Sequence, residues 1–377
     1  MAVRNPIRVL HVHSDLHWGG VEQWLLQVSR SIDRSSFQFD FFAASADPVW
    51  QSAIESMGLG SIASPRPRQL VRYAMSLRRT LHQRPRYDVI HSHFLDHSGL
   101  LLREAARAGV PLRIAHSHVD TAPIFPTMGI PWRAYFRIQN RLLRRYATRG
   151  IAASSAAAAS MFGHEWKTDR RWSVLHYGID LDPFNRPAQH IRSELGFRSE
   201  DIIFGHVGRF VEQKNHRFLV DVVERLIRLV PRAKFLWIGE GHLQPTIEER
   251  LRALGIRDRV TILSRCSNVP ALMRGAMDAF LFPSKYEGLG IAVVEAQAAG
   301  LPCFLADRVP TDADVVHPLV QRLSLLESPE HWASTIARTV QQNRPVSARE
   351  ALEAVRRSSF NMESSVRRLE ELYRERL

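Results

Sequence analysis

The chain has 377 residues, 45% hydrophobic and 24% charged, which is the size and composition of two ordinary globular domains and excludes a disordered, collagen-like or disulfide-framed protein. Its formal charge of +13 favours anionic partners such as phosphate-bearing ligands, anionic lipid or nucleic acid, although only four of its 51 cations are lysines and arginine richness also follows genome composition. Cys266 and Cys303 are its only cysteines and form no metal-ligand spacing, the first apolar run is too short for a signal peptide, and no run approaches a membrane span; the expectation is a cytoplasmic protein in a reducing compartment.

In chain order, short apolar β-branched runs alternate with helical patterns, the signature of a parallel α/β sheet. Strands are expected at Ile7–Val12, Phe37–Ala43, Val89–His93, Leu112–His116, Gly150–Ala153 and Val174–Tyr177. The stretch LDPFNRPAQHIRSELGF then reads as a connection, after which the alternation restarts. Strands are expected at Ile202–Val207, Phe235–Ile238, Val260–Leu263, Ala279–Phe282 and Pro302–Ala306, with helices over His216–Val230 and Ile291–Ala299 and a charged amphipathic helix at Met362–Leu377. The expected fold is two tandem Rossmann-like doubly wound parallel sheets facing across a cleft, residues 1–182 and 183–361, followed by the helix at 362–377.

Three motifs carry candidate chemistry. Gly19-Gly20-Val21-Glu22 lies between a strand and a helix, where backbone N–H groups can approach a phosphate, although a Gly pair also suits a plain tight turn. Gly208-Arg209 ends a strand and Lys214-Asn215 opens the next helix, so two cations flank one loop and could neutralise a departing diphosphate. The strongest is PSKYEGLGI, ending on Glu295: Glu287 sits in a glycine-rich loop with Gly288, Leu289 and Gly290, and Glu295 sits inside the apolar helix AVVEAQAAG. A carboxylate in such surroundings needs a partner, and vicinal ribose hydroxyls would supply one. His17, His91, His93, His97 and His116 match no compact metal-ligand spacing and read as strand-end or core histidines.

The set GGVE, VLHYGID, VGRFVEQKNH, WIGEG and ALMRGAMDAFLFPSKYEGLGIAVVEAQAAGLP, in that order over nearly the whole chain, resembles the retaining family 4 glycosyltransferases of the GT-B fold. RIAHSHVD and LVQRLSLLESPEHWASTI are similar to its bacterial exopolysaccharide and capsule branch. The resemblance implies transfer of a hexose from a nucleotide-diphosphate sugar to a glycan or lipid-diphosphate-linked acceptor, without a metal or other cofactor, with residues 1–182 as the acceptor domain, 183–361 as the nucleotide-sugar donor domain, and 362–377 returning to the first domain. It implies a ribose contact for Glu295, a donor-sugar contact for Glu287, and diphosphate contacts for Arg209, Lys214, Gly208 and the Gly19-Gly20 loop. It places His118, with His116 as the alternative, beside the transferred sugar, and the nucleobase near Arg265, Cys266 and Ser267. Tyr177 stands where the family often has Asn, and Gly290 where Pro or Phe is common. A same-fold sugar-nucleotide epimerase is a second enzyme reading; a basic nucleic-acid-binding or scaffold protein is a third, but no nucleic-acid motif is present.

One further feature is physical. Residues 121–164 contain no acidic residue, and Arg133, Arg137, Arg141, Arg144 and Arg145 recur at helical spacing with Trp132, Tyr135, Phe136, Leu142, Leu143 and Tyr146 on other faces. Residues 132–149 are therefore a candidate contact for an anionic membrane surface, which would make the protein peripheral at the inner face of the plasma membrane. An ordinary helix packing its apolar side on a sheet, with solvated arginines, is the competing reading.

Overall fold

The protein is described here by a computed structural model covering residues 5–16, 19–66, 68–83, 86–186, 190–264, 266, 268–342 and 344–375. The chain divides into two compact units, Met1–Gly178 with Met362–Leu377, and Ile179–Asn361.

The first unit runs β1 (Ile7–Val12), α1 (Gly20–Ser31), β2 (Phe37–Ala43), α2 (Pro48–Ser56), β3 (Gly60–Ala63), α3 (Leu70–Gln83), β4 (Val89–Ser92), α4 (Ser98–Arg107), β5 (Leu112–Ser117), α5 (Ile130–Tyr146), β6 (Arg149–Ala152), α6 (Ser155–Phe162) and β7 (Trp172–Val174). Its seven strands are all parallel, in the order β3-β2-β1-β4-β5-β6-β7. The central strands read as near-continuous apolar runs because helices cover both faces; Val9, Leu10, Val89, Ile90, Leu112 and Ile114 are fully buried.

The second unit runs α7 (Ile191–Glu194), β8 (Ile202–Val207), α8 (His216–Leu229), β9 (Ala233–Ile238), α9 (Gln244–Ala253), β10 (Val260–Leu263), α10 (Val269–Gly275), β11 (Ala279–Phe282), α11 (Ile291–Ala298), β12 (Cys303–Ala306), β13 (Val320–Leu323), α12 (Pro329–Val340) and α13 (Ala348–Arg356). Its six strands are also parallel, in the order β10-β9-β8-β11-β12-β13.

The last helix, α14 (Met362–Arg374), belongs to the first unit. Val366, Leu369 and Tyr373 are buried, Trp24 Nε1 donates to Ser365 Oγ at 3.4 Å, and Ser365 Oγ donates to the His176 carbonyl at 3.0 Å.

Two parallel doubly wound sheets are the fold class that the alternating pattern implies. Three strands differ from expectation. β3 and β13 are short edge strands whose sequences, GSIA and VQRL, have too few apolar residues to stand out. The strand expected at Val174–Tyr177 lies at Trp172–Val174, where Trp172 stacks on Phe162 at 4.6 Å.

Candidate functional site

Ligands of open parallel sheets bind outside the carboxyl ends of the strands, where the strand order reverses. In the second unit that point lies between β8 and β11. Gly208 and Arg209 follow β8, and Ser284 to Gly290 follow β11.

Lys214 reaches this point from the turn before α8, where Asn215 takes a left-handed conformation (φ 57°). Its ammonium lies 2.6 Å from Glu287 Oε1 and 4.5 Å from the centre of the Phe282 ring. Gln213 Nε2 donates to Glu287 Oε2 at 3.2 Å and to the Tyr286 carbonyl at 3.1 Å. Glu287 is therefore buried with both oxygens engaged. Arg209 is exposed beside Tyr286 and makes no hydrogen bond or ion pair among the described residues.

The backbone here is tightly packed. Gly239, after β9, has φ +144°, and a Cβ there would stand 2.2 Å from the Gly208 carbonyl oxygen, so only glycine lets the ends of β8 and β9 meet. Gly290 caps α11 at φ +86°, in the left-handed region. One turn and a half further on, Glu295 is half-buried with no hydrogen-bond or ion-pair partner among the described residues, and burial pushes its carboxyl up to about 7. The Ser284 hydroxyl is fully buried and also lacks a partner.

In the first unit the order reverses between β1 and β4, and histidines gather there. His11 and His91 are register partners on β1 and β4; His13 and His93 follow those strands, and His116 and His118 come from β5 and its end. His11 Nδ1 meets His93 Nε2 at 3.0 Å, His93 Nδ1 meets His118 Nε2 at 2.9 Å, and His118 Nδ1 meets the Tyr177 hydroxyl. In parallel, the Tyr373 hydroxyl meets His91 Nδ1 at 2.8 Å and His91 Nε2 meets His116 Nδ1 at 3.0 Å. Burial pushes all six imidazoles down, His13 to about 3, so they stand neutral.

His91, His93 and His116 are buried at or near strand ends, as the sequence suggests, and parallel register brings them together with His11, His13 and His118. His97 stays apart, bonded to Tyr135, and His17 lies outside the described residues. Tyr177, in place of Asn, orients His118. Gly19 is the extended N-cap of α1, whose first residue is Gly20. Gly288 and Leu289 are buried, Cys266 is half-buried with a free thiol, and Arg265 and Ser267 lie outside the described residues. Gln213, Ser284, His11 and His13 were not singled out from sequence; Gln213 adjoins Lys214 and Ser284 adjoins the glutamate loop, which is the local signal they carry.

The arginine helix is α5, and its arginines divide. Arg133 bonds the Met128 and Pro126 carbonyls, and Arg144 bonds Asn140 and the Phe162 carbonyl. Arg137, Arg141 and Arg145 are exposed, together with Trp132 and Ile138, while Gln139 and Leu143 face the core. No helix among the described residues is long and apolar enough to cross a membrane.

Two doubly wound sheets, each with polar side chains converging at its switch point, define a tandem Rossmann-like enzyme. Comparison with known proteins is specific. The family described as "Glycosyltransferase Family 4" matches residues 18–183, and "Glycosyl transferases group 1" matches residues 188–356. EpsF of Bacillus subtilis (strain 168) is 34% identical over 349 residues, covering 90% of this chain and 89% of that protein. The UDP-Gal:α-D-GlcNAc-diphosphoundecaprenol α-1,3-galactosyltransferase of Escherichia coli is 24% identical, covering 81% of each chain. The crystal structure of Anabaena HepE in complex with UDP and glucose has a TM-score of 0.79 at 19% identity, covering 97% of this chain and 98% of that one, a likeness of fold. The chain belongs to the family 4 glycosyltransferases of the GT-B type.

Proposed function

We propose that the protein transfers a hexose from a uridine-diphosphate sugar to a lipid-diphosphate-linked or glycan acceptor during exopolysaccharide assembly, with retention of anomeric configuration and with Arg209 and Lys214 rather than a metal ion neutralising the leaving diphosphate. The observation that carries the reading is the Lys214–Glu287 pair beside the unpaired guanidinium of Arg209 at the β8/β11 switch point. An anionic leaving group placed there meets two cations, which favours the transition state, where the diphosphate gains a further negative charge, over the dianionic ground state. Glu295, with no hydrogen-bond or ion-pair partner among the described residues, is suited to vicinal ribose hydroxyls, and Glu287, with Gly288, Leu289 and Gly290, to the donor sugar. Gly208 and the Gly19-Gly20 loop are assigned to the phosphates, Arg265 and Cys266 to the base, and His118 or His116 to a position beside the transferred sugar. The UDP in the HepE complex and the UDP-galactose and diphosphoundecaprenol in the name of the E. coli relative support the donor and acceptor classes.

Attachment to the membrane is part of the same proposal, through Arg137, Arg141 and Arg145 with the exposed Trp132 and Ile138 of α5. The test is transfer from a panel of UDP, GDP and ADP sugars to a diphosphoundecaprenol-linked sugar with a chelator present, and assignment of the new linkage by NMR. An α-linked product from a UDP-α-sugar supports the reading. A β-linked product removes retention, and a donor other than a UDP sugar removes the assignment of the base.

A further inference from the structure

The histidine cluster exceeds what sugar transfer requires. One nitrogen from each of His93, His116 and His118 lies within 4.8 Å of the others. His116 is fully buried and its Nε2 has no partner among the described residues, which leaves a desolvated polar atom on a ring of the cluster. We propose that His93, His116 and His118 form a binding site for one divalent transition-metal ion of the zinc class.

The hydrogen bonds on the far side of each ring fit this role. His116 Nδ1–H donates to His91 Nε2, and His91 Nδ1–H to the Tyr373 hydroxyl, which leaves the His116 Nε2 lone pair free. His118 Nδ1–H donates to Tyr177, freeing Nε2. His93 Nε2–H donates to His11 Nδ1, freeing Nδ1. Each ligand nitrogen is thus backed by a hydrogen bond that fixes tautomer and ring angle, as at protein zinc sites. In the metal-free protein, with each ring neutral, the 2.9 Å contact is a hydrogen bond from His93 Nδ1–H to His118 Nε2, and His93 Nε2 accepts from His11 Nδ1–H; metal binding shifts these protons to His93 Nε2 and His11 Nε2, releases none, and opens the pair toward the roughly 3.3 Å separation set by metal–nitrogen bonds of about 2.0–2.1 Å.

Three imidazoles with no carboxylate or thiolate favour zinc, cobalt, nickel or copper over magnesium or calcium. His118 is only part-buried, so the ion has a way in and its fourth position can hold water. With both nitrogens engaged, the ring of His118 can still stand beside a sugar through its carbon edge. The site lies wholly within the first unit and is separate from the cations assigned to the diphosphate.

The test uses full-length protein stripped with a chelator and titrated with Co2+, followed by the visible d–d absorption of the ion, with Zn2+ displacement measured calorimetrically. One equivalent with a tetrahedral band, displaced by Zn2+, is expected. His116→Gln should abolish the band, and Tyr177→Phe, which removes only the hydroxyl behind His118, should weaken affinity about 10–100-fold. His164→Ala, at an exposed histidine, should bind as wild type. Failure of the wild-type protein to bind either ion overturns the proposal, as does wild-type affinity in folded His116→Gln. Binding lost in His11→Gln but kept in folded His118→Gln would place the ion on His11, His91 and His93 and overturn this assignment.

Discussion

The Lys214 ammonium stands 2.6 Å from Oε1 of Glu287, with 15% and 7% of the two side chains exposed, and Gln213 holds the second carboxylate oxygen. This arrangement aims a cation at the switch point while preventing it from collapsing onto solvent. Removing one partner of a buried pair leaves the other charged and desolvated, at a cost of about 3–5 kcal/mol. Lys214→Ala should therefore lower the stability of the second unit as well as turnover. Lys214→Met with Glu287→Gln should recover most of that stability, in denaturant titration, without recovering transfer. Equal stability of wild type and Lys214→Ala would show that the pair is not held as described.

Arg209 differs, because it is exposed and makes no hydrogen bond or ion pair among the described residues. Arg209→Ala should leave the thermal midpoint unchanged and lower kcat by about 10²–10³, the loss typical of one transition-state charge contact. Steady-state kinetics at saturating donor measures it, and a change confined to KM would reduce Arg209 to uniform binding.

Glu295 predicts a pH dependence. Its carboxyl is raised to about 7 in the folded protein from an ordinary value of 4.5, so between those values the folded state holds a proton that the unfolded chain releases. Stability therefore falls as pH rises through this window, and above pH 7 the buried carboxylate costs about 2–3 kcal/mol. Glu295→Gln should remove that loss and be the more stable protein at pH 8. Donor binding has the opposite sign, since the ionised form accepts hydrogen bonds from ribose: affinity should fall as pH drops through about 7 in wild type and be weak and flat in Glu295→Gln. Nucleotide calorimetry across pH decides it.

For α5, Arg137→Glu with Arg141→Glu should cut co-sedimentation with anionic vesicles by about 10–30-fold at low salt, from about 1 kcal/mol per cation near such a surface. Arg133→Ala should have little effect on vesicle binding, because its guanidinium already bonds the Met128 and Pro126 carbonyls. Unchanged binding in the double variant would remove this helix as the contact.

Sequence showed the parallel sheets because runs such as IRVLHV and IIFGHV are buried on both faces and so remain apolar throughout. Edge strands GSIA and VQRL are half-solvated and lose that signature. The glutamate at position 295 stood out locally, a charge within AVVEAQAA, whereas the engagement of Glu287 by Lys214 joins residues 73 apart and has no local trace. The histidines show the same limit. His91 and His116 are 25 residues apart and His11 and His93 are 82 apart, and only strand order and register bring their rings together.

The bond between Tyr373 and His91 spans 282 residues, and that from Trp24 to Ser365 spans 341. During synthesis the whole second unit, Ile179–Asn361, is made before the helix that seals the first sheet. Until then His91, His11 and Phe39 lack the ring that packs against them. The second unit is contiguous and can fold on its own schedule, so the later-made half should reach its native state first and the earlier-made half last. A released chain truncated before Met362 would accordingly carry a protease-resistant second unit and a protease-sensitive first one.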